Sequence, residues 1–297
     1  MVQAKTSAIF NLSVMLSRQR WLPYKTRRSL IKRLYPRLLR DYPFEAPFYD
    51  PAWGMKFNGN TVYAADRLVY FCGAQKKYLL AMLRDYIRRL QAGSATPLVT
   101  IDVGASSGNY ALFMSKLAER VHAFEPYEKA RRQLEYNISL NHITNVTVYP
   151  VGLGECDEVV PFYDVPEKQC AQKDRYHLGN LPLRRGDGLM QALAVEAIGI
   201  VKIDVGGQEA AVLRGLLQTL KRDRPLVLLD MPQEMRGQLN SRGELAALFP
   251  DYYRFYRFSA ANPNSGTYRL APFMYDEAPR FADIIACPAE KLPFLGV

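Results

Sequence analysis

The chain has 297 residues, of which 48% are hydrophobic and 12% aromatic, and it carries a formal net charge of +10. This composition provides enough apolar material for a folded core and excludes a wholly disordered chain. No stretch approaches 18 consecutive apolar residues, and residues 6–17 lack the cleavage site of a secretory signal. The sequence therefore predicts a cytoplasmic protein without a membrane-spanning helix.

The positive charge is concentrated in the first 40 residues, which contain ten Lys or Arg side chains and no acidic one. The rest of the chain holds 29 basic and 29 acidic residues. A neutral body with a basic front end indicates a local contact surface and disfavours nucleic-acid binding by the whole protein.

The N-terminal region shows helical patterning. Leu30, Ile31 and Leu34 recur at helical spacing between basic residues, and Pro36 bends or ends that helix. A further helix is predicted from about Lys76 to Gln91. We therefore predict a basic helical extension over residues 1–95 and a second domain over 96–297. The basic segment has two alternative roles: peripheral contact with an anionic membrane at its inner face, or packing of its apolar stripes on the body.

From Thr96 onward, short apolar runs alternate with helical segments. Strands are predicted at 98–103, 121–125, 146–151, 200–205 and 226–231, followed by two late strands at 252–259 and 283–287 with a long loop between them. Continuous apolar strands joined by helices are typical of a parallel sheet covered on both faces. The predicted fold class is α/β, with a doubly wound sheet.

Cysteine and histidine spacing indicates no metal site. The chain has three histidines and four cysteines, and the cysteines are far apart without a CxxC pair. No zinc-binding arrangement can be assembled from this spacing, so reduced thiols are predicted.

The strongest motif is IDVGASSGNY, placed between a predicted strand and a predicted helix. Gly104 and Gly108 let the backbone pass close to a ligand at the N-terminus of the helix. The GxGxxG pattern of dinucleotide-binding proteins is absent, and Asp102 precedes the first glycine. A carboxylate there repels a pyrophosphate and suits an ammonium group, which favours S-adenosylmethionine over NAD. The candidate cofactor-binding residues of this motif are Asp102, Gly104, Ala105, Ser106, Gly108, Asn109 and Tyr110.

Two acidic residues follow later strands. Glu125, in the sequence Phe124-Glu125-Pro126, lies about 20 residues after the glycine loop, where an acid typically accepts hydrogen bonds from ribose hydroxyls. Asp204 follows the strand VKID. Since carboxyl ends of parallel strands meet at one sheet edge, Asp102, Glu125 and Asp204 are expected to converge there. The alternative is that Asp204 caps the next helix, with Lys202 as its counter-ion.

The order of these motifs resembles the FkbM family of S-adenosylmethionine-dependent O-methyltransferases. The resemblance covers IDVGAxxGxY, AFEP with a following LxxN and LN, NVTVYPVGLGE, VKIDVxGxExxVLRG and RPLVLLD, between about Val99 and Asp230. It implies a class I methyltransferase, Rossmann-like sheet, mostly parallel with one antiparallel edge strand. It also implies S-adenosyl-L-methionine as cofactor, held by the glycine loop, by Glu125 and Pro126, and by Gly152 and Leu153 at the adenine.

One departure from the family pattern concerns turnover. The family usually has KIDVEGxE, whereas Gly206 stands here in place of the first glutamate, and Glu209 lies about one turn further along. Arg185-Gly186-Asp187 stands where the family often has Thr-Leu-Asp. This opens the alternative of a homologue that binds the cofactor without catalysis.

Attack by an alcohol requires a base, because the oxygen becomes nucleophilic as its proton leaves. Asp204 is the first candidate, and His177, in a polar segment that could form a lid, is the second. The predicted acceptor is a hydroxyl of a sugar, glycolipid or secondary metabolite. A nucleic-acid methyltransferase that uses the basic arm is less favoured, because no Asn-Pro-Pro-Tyr-like tetrapeptide follows the fourth strand.

Overall fold

A computed structural model describes residues 43–93, 97–163, 177–231, 242–262, 265–274 and 282–297, together with the single positions 15 and 26. The predicted basic helices of residues 1–40, apart from positions 15 and 26, and residues 174–176 of the polar segment that ends at His177 lie outside the described residues.

The centre of the fold is an eight-stranded sheet with the order β12-β11-β13-β10-β9-β3-β4-β5. Its strands are β3 (Val99–Val103), β4 (Arg120–Phe124), β5 (Val146–Tyr149), β9 (Ile198–Ile203), β10 (Leu226–Met231), β11 (Tyr253–Ala261), β12 (Tyr268–Pro272) and β13 (Ala282–Pro288). Strands β5, β4, β3, β9 and β10 pair in parallel, and β13 is antiparallel to both β10 and β11.

This topology confirms the predicted class I methyltransferase sheet and all seven predicted strands. The predicted antiparallel strand is β13. It lies between β10 and β11, inside the sheet, and not at the sheet edge where it was predicted. The segment predicted as a long loop between the two late strands contributes β12, which pairs antiparallel with β11 at the sheet edge. The loop prediction was wrong because the alternating pattern around Tyr268 is short and interrupted by polar residues.

Two smaller sheets accompany the central one. Strands β1 (Pro43–Pro47) and β2 (Lys56–Asn60) form an antiparallel hairpin, where a connector was predicted. Strands β6 (Gly152–Gly154), β7 (Glu158–Tyr163) and β8 (His177–Arg185) form a three-stranded sheet with the order β6-β8-β7. Both were missed because proline, glycine and polar residues interrupt their alternation.

Helices cover both faces of the central sheet. They are α1 (Ala64–Cys72), α2 (Lys77–Gly93), α3 (Asn109–Ser115), α4 (Glu128–Leu140), α5 (Gly186–Ala192), α6 (Glu209–Gly215), α7 (Leu217–Asp223), α8 (Arg242–Ala246) and α9 (Leu292–Leu295). Helix α2 agrees with the prediction from Lys76 to Gln91. None of the helices in the described ranges is long and apolar enough to cross a membrane.

The core is divided by the sheet into two clusters. Leu226 and Leu228 of β10 join the cluster that contains the hairpin and α2, whereas Val227 and Leu229 join the cluster under α5–α7. Alternate side chains of a strand point to opposite faces, so β4, β10 and β13 each contribute to both clusters. The segment 43–93 therefore shares one apolar core with the sheet.

The hairpin is attached to α4 by two asparagines of the LxxN and LN motifs. Asn137, which is fully buried, accepts a hydrogen bond from Asn58 N (2.7 Å) and donates to Asn58 O (2.9 Å). Asn141 makes the same pair of bonds with Lys56, at 2.7 and 2.8 Å. Each amide therefore replaces a strand partner and satisfies backbone groups at the outer side of β2.

Candidate active site

The glycine loop, residues 104–108, connects β3 to α3 and needs glycine at its start. Gly104 has φ +77°, and a Cβ built there would lie 2.1 Å from the backbone oxygen of Asp204. The amides of Gly104 and Ala105 both donate to Phe124 O, at 3.0 and 3.1 Å. The end of β3 is thus pressed between the ends of β4 and β9, where a side chain does not fit.

Glu125 lies directly beside this loop, as predicted, and is 7% exposed. Its Oε2 accepts from Ser106 N (2.8 Å) and its Oε1 from Tyr127 N (2.9 Å). Burial raises the pKa of Glu125, and these two amides oppose that rise. Each carboxylate oxygen can accept a second hydrogen bond, so the fixed carboxylate keeps capacity for a ligand diol.

Asp102 and Lys202 are register partners on β3 and β9. The Lys202 Nζ lies 2.9 Å from Asp102 Oδ1 and donates to Gly104 O at 2.7 Å. Asp102 is 2% exposed, so its carboxylate is almost entirely removed from solvent. Burial raises the pKa of Asp102, and Lys202 opposes that rise. Lys202 is therefore the counter-ion of Asp102, where the alternative interpretation had paired it with Asp204.

The remaining loop residues connect the site to segment 43–93. Ser107 Oγ donates to Asp66 Oδ1 at 2.8 Å, and Asn109 Oδ1 accepts from Gln75 N at 3.0 Å. Tyr110 is buried, with its ring centroid 5.0 Å from the Lys202 ammonium. The side-chain amide of Asn109, a predicted cofactor-binding residue, is hydrogen-bonded to the backbone of Gln75.

We call the end of β3, the glycine loop and residues 125–127 the glycine-loop half of the site. The other part, the carboxylate half, lies at the ends of β9, β10 and β13. Asp204 there is half-buried, and no hydrogen bond to its carboxylate is found among the described residues. Asp230 and Asp283 are register partners on β10 and β13.

Lys76, which precedes α2, bridges these two carboxylates. Its Nζ lies 3.1 Å from Asp230 Oδ1 and 2.6 Å from Asp283 Oδ1. Tyr78 OH donates to Asp283 Oδ2 at 2.8 Å. A narrow cleft between the strand ends, with a volume of about 10 Å³, is lined by Lys76, Tyr110, Lys202, Asp204, Asp230 and Asp283 and by apolar neighbours. This volume holds about one water-sized group.

The charges of the carboxylate half influence one another strongly. Burial raises the pKa of Asp230 to about 6; Lys76 opposes that rise, and Asp204 and Asp283 add to it. The pKa of Lys76 is held well above its ordinary value by the surrounding carboxylates, against the effect of burial. At neutral pH, Lys76 is therefore charged and Asp230 largely ionised.

The turn after β9 does not supply a replacement for the family glutamate. Glu209 is fully buried, and its carboxylate accepts from Val205 N (3.0 Å) and Gly207 N (3.0 and 3.1 Å). Gly206 is exposed at φ +70°, and a Cβ built there would meet nothing within 4 Å. Glu209 thus stabilises the turn, and no hydrogen bond from Asp204 caps α6 among the described residues.

The other predicted site residues lie on the three-stranded sheet and its border. Gly152 and Leu153 are buried on β6; Pro126 Cγ would lie 3.4 Å from a Cβ built on Gly152. Leu183 of β8 is the register partner of Gly152, whereas His177 begins β8 opposite Tyr163. Six residues of strand correspond to roughly 20 Å, so the backbone of His177 lies at the far end of this sheet.

Sequence reasoning missed Lys76, Tyr78 and Asp283 as members of the site. They belong to segments outside the family motifs, and only the folded sheet brings them to Asp230. Asp187, in the Arg-Gly-Asp departure, has a structural role: it accepts from Gln218 N (2.9 Å) and Thr219 N (2.8 Å) at the start of α7.

The chain is similar in sequence to known methyltransferases. A family model described as the Methyltransferase FkbM domain matches residues 102–258, more than half of the chain. A ribosomal RNA small subunit methyltransferase G from Campylobacter fetus is 28% identical over 80 residues, which are 26% of this chain and 44% of that protein.

Two solved structures show distant likeness. A methyltransferase FkbM from Methylobacillus flagellatus KT has 17% identity and a TM-score of 0.42, covering 75% of this chain and 57% of that chain. An rRNA methylase from Streptococcus thermophilus has 13% identity and a TM-score of 0.41, covering 68% and 93%. The chain thus spans less than two thirds of the length of the Campylobacter fetus methyltransferase and of the Methylobacillus flagellatus structure.

Proposed function

The chain belongs to the FkbM methyltransferase family, and we propose that it transfers a methyl group from S-adenosyl-L-methionine to a hydroxyl of a sugar, glycolipid or secondary metabolite. The observation that supports this most is the glycine loop beside a fixed Glu125, with Asp204 at the end of the neighbouring strand and its backbone packed against Gly104. This arrangement combines a binding surface for a nucleoside with a carboxylate that is available as a base.

The glycine-loop half fits the proposed cofactor. Glu125 presents a carboxylate, fixed by Ser106 N and Tyr127 N, to a ribose diol. Gly104 and Gly108, at φ +77° and +103°, give the loop a backbone conformation that residues with side chains rarely adopt. The Asp102 carboxylate lies at the start of this loop, paired with the Lys202 ammonium at 2.9 Å.

S-adenosylmethionine, when bound, supplies a methyl group on a sulfonium, and the protein contributes mainly alignment and proton removal. We propose Asp204 as the base that accepts the hydroxyl proton. It is half-buried, lines the cleft and is not engaged by a hydrogen bond among the described residues. His177 stays a second candidate, but its backbone lies at the far end of β8.

The charges of the cleft favour an uncharged acceptor. Three carboxylates, those of Asp204, Asp230 and Asp283, line the cleft together with the ammonium groups of Lys76 and Lys202, and Lys202 is already paired with Asp102. A phosphate close to the reacting atom would be repelled by this excess negative charge. A sugar or polyol hydroxyl has no such cost, since carboxylates accept hydrogen bonds from hydroxyl groups.

A nucleic-acid acceptor is the second candidate, because of the basic residues 1–40 and the matched rRNA methyltransferase. The test is a methyl-transfer assay with labelled S-adenosylmethionine on separate pools of glycans, glycolipids and RNA. We expect labelled glycan or glycolipid. Labelling confined to RNA would show that the acceptor is a nucleic acid. Cofactor binding without transfer to any pool would support a non-catalytic homologue.

For the basic segment we propose peripheral contact with an anionic membrane, which would place the enzyme near glycolipid acceptors. Deletion of residues 1–40 should abolish co-sedimentation with vesicles that contain phosphatidylglycerol and leave the melting temperature unchanged. A fall in melting temperature without loss of vesicle binding would support packing of the segment on the body.

A further inference from the structure

Lys76 joins two carboxylates that would otherwise repel each other. Asp230 and Asp283 are directly opposite on an antiparallel strand pair, an arrangement in which like charges are destabilising. The Lys76 ammonium contacts both, and the three side chains are 21%, 27% and 11% exposed in the order Lys76, Asp230, Asp283. Lys76 comes from the link between α1 and α2, so segment 43–93 completes this end of the site.

The backbone of Lys76 is held in an unusual conformation. Its φ of +47° lies in the left-handed region, which is rare for a residue with a side chain. Its carbonyl accepts from Leu79 N (2.8 Å) and Leu80 N (3.3 Å) at the start of α2. The start of the helix thus fixes the point from which the ammonium extends towards the strand ends.

The two carboxylates that Lys76 joins are not equivalent. Asp283 uses both oxygens, one for Lys76 and one for Tyr78 OH. Asp230 uses only Oδ1, and its Oδ2 accepts no hydrogen bond from any described residue. Asp230 also lines the cleft together with Asp204. A second hydroxyl of an acceptor could therefore donate to Asp230 while the reacting hydroxyl meets Asp204.

We propose that Asp230 binds a hydroxyl of the acceptor next to the one that is methylated, and that Lys76 is a positioning residue that keeps Asp230 ionised and oriented. This inference rests on the proposed function and narrows its acceptor to a vicinal diol, as found in sugars and polyols. No covalent step is added, since Asp230 only accepts a hydrogen bond.

The charge on Asp230 is controlled by groups from every side. Lys76 approaches from the α1–α2 link, Asp283 from β13 and Asp204 from the end of β9. Lys76 is the group among these that lowers the pKa of Asp230, while burial and the two carboxylates raise it. Removal of the ammonium should therefore move protonation of Asp230 to higher pH.

The test compares Lys76→Met and Lys76→Arg with the wild type and with Lys221→Met, which removes an exposed ammonium on α7, away from the cleft. Turnover is followed from pH 5 to 9 with the methyl hexopyranoside that the wild type methylates fastest and with its deoxy analogue lacking the neighbouring hydroxyl. Binding of S-adenosylhomocysteine is measured by calorimetry on the same samples.

For Lys76→Met we expect the acidic limb of the pH profile to move up by about 1 pH unit or more. The KM for the diol should rise at least tenfold, and the preference over the deoxy analogue should shrink. Lys76→Arg should recover part of the wild-type pH profile and part of the preference for the diol. Lys221→Met should match the wild type. Affinity for S-adenosylhomocysteine should stay within twofold.

An unchanged pH profile and unchanged diol preference in Lys76→Met would overturn the inference, even if the variant melts at lower temperature. In that case the wild type would still transfer methyl groups and bind S-adenosylhomocysteine, so the proposed function would stand. Failure of the proposed function has a different signature, because the wild type itself would then bind no S-adenosylhomocysteine or methylate no glycoside.

Discussion

The two halves of the site are built in different ways. In the glycine-loop half, backbone amides fix the functional groups: Glu125 is hydrogen-bonded to residues 19 and 2 positions away in sequence. In the carboxylate half, side chains fix one another: Lys76 reaches Asp230 and Asp283 across 154 and 207 positions. A binding surface made from local backbone tolerates little change, whereas the side-chain cluster can change with the acceptor.

Asp204→Asn should have the largest effect, because it should lower turnover strongly and leave cofactor affinity almost unchanged. If Asp204 is the base, turnover should fall by about 10²–10⁴-fold, because the reacting hydroxyl loses its proton acceptor. Affinity for S-adenosylhomocysteine should stay within twofold, since Glu125 and the glycine loop are unchanged. Single-turnover kinetics and calorimetry measure the two effects. Turnover within threefold of the wild type would assign the base elsewhere, with His177 next.

Gly104→Ala should damage the fold where the two halves meet. The new methyl group would overlap the Asp204 carbonyl and be strained at φ +77°, so we expect a loss of about 2–5 kcal/mol in unfolding free energy. Gly206→Ala is the matched control, with φ +70° but open space, and should cost only about 1 kcal/mol. Urea unfolding measures both, and equal losses would contradict the close approach to Asp204.

Asn137→Ala should loosen the hairpin beneath the glycine-loop half. It would leave Asn58 N and Ser107 O without their buried partner, whereas Asn58 O keeps the hydrogen bond from Gln133 Nε2, so we expect a cost of about 3 kcal/mol. Asn141→Ala removes a similar pair of bonds in a more exposed position and should cost about 1 kcal/mol. Thermal unfolding would rank the two, and the reverse order would show that the hairpin depends mainly on Asn141.

The smallest effect is the pH dependence contributed by His122, which is buried on β4 with Nδ1 2.9 Å from Tyr149 OH. Burial and then Arg120 lower the pKa of His122, so the folded state binds its proton less readily than the unfolded chain. Its contribution to stability is present above the unfolded pKa of about 6.5 and is lost as pH falls below it.

His122→Asn should therefore reduce the loss of stability between pH 7 and pH 5, whereas His142→Asn, at an exposed position, should leave it unchanged. Melting temperatures across this range measure the difference. Parallel curves for the wild type and His122→Asn would show that His122 is protonated as easily when folded as when unfolded.

The contrast between the halves also explains what the sequence could predict. The strands, their parallel order and the positions of Glu125 and Asp204 follow from local patterns: apolar runs, turn glycines and acids after strand ends. The hairpin of Pro43–Asn60 could not be predicted, because its edge is satisfied by Asn137 and Asn141 from a distant helix. Lys76 and Asp283 carry no local signal, since their roles arise from strand register.

The central claim is that the glycine-loop half binds S-adenosylmethionine through Glu125. Calorimetric titration of the wild type and of Glu125→Gln with S-adenosylhomocysteine tests it most directly, with thermal unfolding of both to show that the variant is folded. We expect one site per chain in the wild type and an affinity about tenfold or more weaker in Glu125→Gln, because a charged hydrogen-bond acceptor for the ribose is lost. No binding by the wild type, or equal affinities of the two proteins, would contradict it.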